Sequence, residues 1–143
     1  MIRKKKVFIM ARRLYLPALN EFASNGAKVR SGTKWKFSNG PVYLRFGMFD
    51  PVAEGNEIYF KMCKFIFPGN KRVLCLQRVD VPTHMRRQGN CTQLLRDMES
   101  AARQHGLEGV YVQSVISPEM YQLMEKQDGY ICFFENNYLK LLQ

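Results

Sequence analysis

Arg86-Arg87-Gln88-Gly89-Asn90-Cys91-Thr92 is the stretch of this 143-residue chain whose residue types and spacing suit a definite chemistry, the holding of a phosphorylated group such as a pyrophosphate. An apolar run, Val73-Leu74-Cys75-Leu76 continuing through Val79 and Val81, precedes it and reads as a mostly buried strand. Pro82 cannot donate to a sheet ladder and marks the strand's end. After the loop, Leu94, Leu95, Met98, Ala101 and Ala102 recur on one face of an amphipathic helix, and Gly106 stops it. A strand feeding a helix through a tight loop aims several backbone amides at one point, with the positive end of the helix dipole behind them. Gly89 removes the Cβ that would keep a ligand away. Thr92 adds a hydroxyl, and Arg86 and Arg87 add charge. A plain basic cap on a helix would have the same residues, so the loop alone does not decide between the two.

The elements around this loop predict one domain, residues 1–143, long enough to bury a real core. Lys5 to Met10 reads as a first strand and Arg12 to Ser24 as a helix with an apolar stripe of Leu14, Leu16, Leu19, Phe22 and Ala23. Pro17 marks a start or a kink in it, and Asn25-Gly26 ends it. Residues 27–40 are basic and turn-rich around the lone Trp35, which either stacks on a base or sugar or packs over the core. Three strands then follow as a meander: Pro41 to Phe49, Glu57 to Phe67 and Arg72 to Val81, separated by turns rich in Pro, Gly and Asn. Val110 to Ile116, apolar and β-branched, is a central strand. Ser117-Pro118-Glu119 is a helix start, with a cap, a first-position proline and an acid in the first turn. Tyr130 to Phe134 and Tyr138 to Leu142 form a closing hairpin.

Charge is unevenly distributed. Residues 1–50 carry eleven Lys/Arg against Glu21 and Asp50, while the rest of the chain is nearly balanced. That basic third either attracts a polyanion, RNA or DNA among them, or is simply a solvated face. Cys63, Cys75, Cys91 and Cys132 are widely spaced and, with two histidines, give neither a disulfide framework nor a metal set; Cys75 and Cys132 read as reduced core residues. Arg12 and Arg13 interrupt the N-terminal apolar run too early for a signal peptide, and no run is long enough to span a membrane, so a cytoplasmic protein without membrane contact is expected.

Val81 to Leu95 resembles the acyl-CoA loop of the GNAT superfamily of N-acyltransferases, usually written Arg/Gln-x-x-Gly-x-Gly/Ala after a strand ending in Val-Pro and before Leu-Leu. Arg86 and Gly89 match their positions, whereas Cys91 stands where the family has Gly or Ala. Ala101 to Leu107, Gly109 to Val115 and Met120 to Tyr130 resemble the next helix end, strand and helix-and-turn of that family, so the resemblance covers residues 72–142. It implies an α/β (α+β) GNAT fold: a mixed, mostly antiparallel sheet of six to seven strands with a splayed parallel pair, flanked by three to four helices. Residues 72–142 would be the acyl-CoA-binding core and residues 1–40 the variable, basic acceptor side.

The resemblance further implies acetyl transfer from acetyl-CoA, as co-substrate and without metal, to a primary amine by direct attack in a ternary complex. Val79 and Val81 would offer the strand edge to the pantetheine arm, and Arg86, Arg87, Gln88, Gly89, Asn90, Cys91 and Thr92 would hold the phosphates. Gln113 to Val115 would face the thioester. The family's usual proton donor is a tyrosine; this chain has Met124 there, and Tyr121, one turn earlier, is the candidate general acid. Asp80 and Glu57 are the candidate bases. A basic acceptor side suits an anionic acceptor such as aminoacyl-tRNA or an acidic protein. The alternative is a GNAT-fold module that has lost catalysis and binds nucleic acid or a partner protein, as Met124 and Cys91 suggest; a monomer or a homodimer fits either.

Overall fold

The structure, a computed structural model, describes residues 2–26, 28–49, 72–80, 89–113, 115, 117–134 and 136–142. It opens with a 23-residue helix, α1 (Ile2–Ser24). This helix takes in Lys5 to Met10, which the sequence suggested as a strand. Four apolar residues in a row fit either state, and the long helical stretch beyond them extends back through the run cooperatively. Pro17 lies inside α1 on its exposed side, where the carbonyl left without a donor can face water. The buried edge is Ala11, Tyr15, Leu19 and Ala23, four residues apart, whereas Leu14, expected on that stripe, is 58% exposed.

Residues 27–40 contain a strand where a basic loop was expected. In β1 (Lys34–Asn39) the lysines Lys34 and Lys36 point to solvent, while Trp35 and Phe37 point inward. Trp35 stacks on Phe46 at 5.1 Å and 13° and lies 6.3 Å from Phe22, so it is packed against the core. Charged side chains on an edge strand discourage pairing with a second chain. β1 pairs antiparallel with β2 (Val42–Phe49) around the left-handed Gly40. In β2, Val42, Leu44, Phe46 and Met48 are buried, the alternation read from sequence.

β2 pairs antiparallel with β3 (Val73–Asp80), and β3 pairs parallel with β4 (Gly109–Val112). The crossover between them is α2 (Asn90–Gln104), whose Leu94, Leu95, Met98, Ala101 and Ala102 are buried as their spacing predicted. α3 (Pro118–Lys126) starts at Ser117, whose hydroxyl accepts the Met120 N–H at 3.1 Å. β5 (Ile131–Phe134) and β6 (Asn137–Leu141) close the chain as a hairpin. The strand order is β1-β2-β3-β4-β6-β5, a six-stranded mixed sheet with one parallel pair, and three helices accompany it among the described residues. The expected strand Glu57 to Phe67 lies outside the described residues.

Leu44, Phe46, Leu74, Leu76, Val110 and Val112 face α1 and α2 across one core. Arg72 fastens the end of α1 to the start of β3 by donating to the carbonyls of Gly26, at 2.6 Å, and of Val29. Cys75 is buried, as expected. Cys132, also expected in the core, is exposed, because β5 is the outermost strand of its edge. No described helix is long and apolar enough to cross a membrane.

Candidate functional site

β3 and β4 pair from Val73↔Gly109 to Leu76↔Val112, and the Gln113 N–H then donates to the Leu76 carbonyl at 3.0 Å. Among the described residues the β3–β4 pairing goes no further. β3 runs on through Gln77, Arg78, Val79 and Asp80, held by β2 on one side and paired with no described residue on the other. A bulge sits at that point of β3. Arg45 faces Arg78 and Phe46 faces Leu76, so Gln77 is the extra residue. A bulge bends its strand and increases the local twist. Among the described residues, β3 therefore extends past the carboxyl end of the parallel pair.

A helix joining two adjacent parallel strands runs back antiparallel to them. The N-terminus of α2 consequently lies at the same end of the sheet as Gln77 to Asp80 of β3. Gly89 caps it with φ 80° and ψ 3°, a left-handed conformation that favours glycine. A Cβ on Gly89 would meet no atom of the described residues within 4 Å. Asn90, Cys91 and Thr92 form the half-buried first turn, which contains no acidic residue to neutralise the dipole.

The candidate residues from the sequence fall into three groups. Val79 is half-buried in the extending segment of β3, and Gly89, Asn90, Cys91 and Thr92 form the cap and first turn of α2. Asp80 is exposed at the end of β3, with its carboxylate 2.9 Å from the Arg78 Nε. Glu57, Val81, Arg86, Arg87 and Gln88 lie outside the described residues. Met124 is fully buried in the core, while Tyr121 is 51% exposed near the start of α3. The negative charge of Glu125 and hydrogen bonding to it hold the Tyr121 phenol above its ordinary range, which keeps its proton in place at neutral pH. Glu125 also accepts the Tyr138 hydroxyl at 2.9 Å. Of the segment Gln113 to Val115, Gln113 is exposed and accepts from Cys75 Sγ at 3.6 Å, whereas Val115 is buried and donates its N–H to Asn136.

Sequence reasoning missed the polar clamp behind the loop. Asp97, only 5% exposed, receives both Arg12 Nε and Nη2 at 2.9 Å, the Tyr15 hydroxyl at 2.7 Å and Gln93 Nε2 at 2.9 Å. One carboxylate thus ties α1 to the first turns of α2. Burial alone would raise its pKa, but the bonds from Arg12, Tyr15 and Gln93 outweigh it and hold the carboxyl below its usual range. Two residues on, about half a turn round the helix, Glu99 receives Lys140 Nζ at 2.8 Å and the Tyr130 hydroxyl at 3.0 Å, tying α2 to β6. The available signal was Asp97 falling three residues after Leu94 on the apolar stripe, where a carboxylate must find partners.

No family model matches this chain, and no curated protein matches it. Several solved structures resemble it in fold. A tyrosine-to-phenylalanine mutant of the AtaT toxin, bound to the C-terminus of the antitoxin AtaR and acetyl-CoA, matches with a TM-score of 0.46 at 15% identity, over 70% of this chain and 59% of that one. AtaT complexed with acetyl-methionyl-tRNAfMet matches with a TM-score of 0.46 at 18% identity, over 70% of this chain and 61% of that one. The KacTA–DNA complex matches with a TM-score of 0.47 at 13% identity, over 87% of this chain and 79% of that one. This chain thus spans about three fifths of the AtaT length. At these values the likeness is one of fold, and no residue role passes from those proteins to this chain.

Proposed function

We propose that this chain is an N-acetyltransferase that binds acetyl-CoA between β3 and β4. The observation that supports this is the run of β3 past the last described β3–β4 pair, Leu76↔Val112, at the same end of the sheet as the glycine-capped N-terminus of α2. A strand that runs on in this way offers edge backbone to an amide-bearing arm, and the helix N-terminus offers amides and positive potential to its phosphates. Val79 and Val81 would supply the edge, and Arg86 to Thr92 the phosphate site.

In the transfer step the amine lone pair attacks the thioester carbonyl, a C–N bond forms and the C–S bond breaks. The ammonium gives its proton to a base, for which Asp80 and Glu57 are the candidates, and the departing thiolate takes one from Tyr121. Tyr121→Phe should lower kcat about tenfold and leave acetyl-CoA affinity unchanged, because only the proton donor is lost.

The acceptor is proposed to be anionic, from the basic first third of the chain. Arg12 is not a probe of this, since its charge is committed to Asp97. Arg13, Lys34 and Lys36 are exposed. Reversing all three to Glu should raise the KM for an anionic acceptor and flatten its salt dependence by roughly three phosphate contacts' worth of slope. The deciding experiment is transfer of labelled acetyl from acetyl-CoA to aminoacyl-tRNA, an acidic protein and simple amines. Transfer supports the enzyme. Acetyl-CoA binding without transfer, together with salt-dependent nucleic-acid binding, would favour the alternative of a binding module, for which buried Met124 in the usual donor position is the supporting observation.

A further inference from the structure

Three cations face one another across the first three strands of the sheet. Along β2 the core side chains alternate with Tyr43, Arg45, Gly47 and Phe49, which share the face away from α1 and α2. Arg45 lies opposite Lys36 of β1 and opposite Arg78 of β3, and residues directly opposite share a face. Lys36 is exposed, Arg45 is half-buried and Arg78 is 57% exposed, so the row is open to solvent at both ends. Like charges placed directly opposite in a sheet repel and cost stability. Protection of the sheet edge accounts for the lysines of β1, but not for arginines on the two strands inside it.

Little neutralises this row. Among the described residues Lys36 and Arg45 have no ion pair, and Asp80 alone answers Arg78. Asp80 takes the Arg78 Nε–H at 2.9 Å, and the guanidinium carbon stands 5.5 Å from the centroid of the Tyr43 ring. Both contacts hold the guanidinium in place. They leave its two terminal nitrogens without a partner among the described residues. A planar guanidinium fixed in this way can give two parallel N–H bonds to one phosphate.

Antiparallel neighbours have Cα atoms about 5 Å apart, so the row spans roughly 10 Å from Lys36 to Arg78. The charge does not run far along the strands. Ser38, Tyr43 and Asp80 form the next row on one side, and Lys34, Gly47 and buried Cys75 form it on the other. A nucleic-acid backbone draws on a longer track of cations, and Asp80 would repel it. We infer that Lys36, Arg45 and Arg78 bind a small anion of two or three linked phosphates, free or carried by a nucleotide. The anion lies across the strands, with Arg78 at one end, Lys36 at the other and Arg45 between them. The site uses no residue of the proposed acetyl-CoA site and does not depend on it.

The test is a calorimetric titration of tripolyphosphate into wild type, Lys36→Gln and Arg78→Gln at low ionic strength. Each substitution should weaken binding about tenfold, the loss of one charge-assisted contact. Anion held elsewhere is common to the three proteins and drops out of the comparison. In dilute chloride without phosphate, Lys36→Gln should unfold no earlier than wild type, because a repulsive neighbour of Arg45 is gone. A lysine kept for packing would lower Tm instead. Titrations with ATP and with a mixed-sequence RNA oligonucleotide identify the source of the phosphates. Tighter binding of ATP than of tripolyphosphate, lost in the variants, supports a nucleotide; no tighter binding of ATP supports a free polyphosphate. Three results overturn the inference: tripolyphosphate binding that is absent or equal in all three proteins, earlier unfolding of Lys36→Gln, or a row that responds to the RNA and not to tripolyphosphate. If Arg78→Gln fails to fold, Lys36→Gln decides alone.

Discussion

Asp97→Ala should lower the unfolding free energy by about 3 kcal/mol and Tm by roughly 10 °C. The substitution removes the carboxylate that receives the Tyr15 hydroxyl and the Arg12 guanidinium, and it releases Gln93 in the first turns of α2. The figure is kept below that of a wholly buried ion pair because Arg12 is 39% exposed and water can take over part of its solvation. The pH dependence has a definite sign. The folded carboxyl titrates below the unfolded value of about 3.9, so its contribution is complete above that pH and disappears as the pH falls through the folded pKa. Denaturation of wild type and Asp97→Asn across acid pH checks this: the stability gap between them should shrink toward about pH 2 and be constant near neutrality. A gap that widens on acidification would mean that Asp97 is not held ionised by its partners.

The second large effect separates folding from ligand binding. Gly89→Glu forces a side chain into a left-handed conformation, at about 1 kcal/mol. A carboxylate at a helix N-terminus returns some tenths of a kcal/mol. With no atom of the described residues within 4 Å of the new Cβ, the fold should survive with Tm lowered by only a few degrees. The same carboxylate would stand where the phosphates are proposed to lie, beside a first turn that has no acid of its own. Acetyl-CoA affinity should therefore fall by at least about a hundredfold.

Much of this architecture was legible in the residues themselves. The Leu94 to Ala102 spacing identified α2, the Val42-Leu44-Phe46 alternation identified β2, and Ser117-Pro118-Glu119 placed the start of α3. These are local periodicities and caps, which a single chain records directly. β1 was also recorded, in the alternation Lys34-Trp35-Lys36-Phe37, but its lysines resemble a loop until they are known to face solvent from a sheet edge. The run Val7-Phe8-Ile9-Met10 was ambiguous in principle, since four apolar residues have no period.

The bulge in β3 at Gln77 has no local signature. It depends on Gln77 being extra relative to β2, a register fact that exists only once the strands pair. The Asp97 clamp joins residues 85 positions apart. Its carboxylate is visible on an apolar stripe, but nothing in α1 marks Arg12 and Tyr15 as its partners, and Arg12 read from sequence as part of a free basic surface.

The measurement that bears most directly on the acetyl-CoA site is a calorimetric titration of acetyl-CoA into wild type and Gly89→Glu, with the thermal unfolding of both proteins recorded alongside. Saturable binding to wild type, lost in a Gly89→Glu protein that still unfolds within a few degrees of it, is the predicted result. Equal binding by both folded proteins, or no binding by wild type, would contradict it.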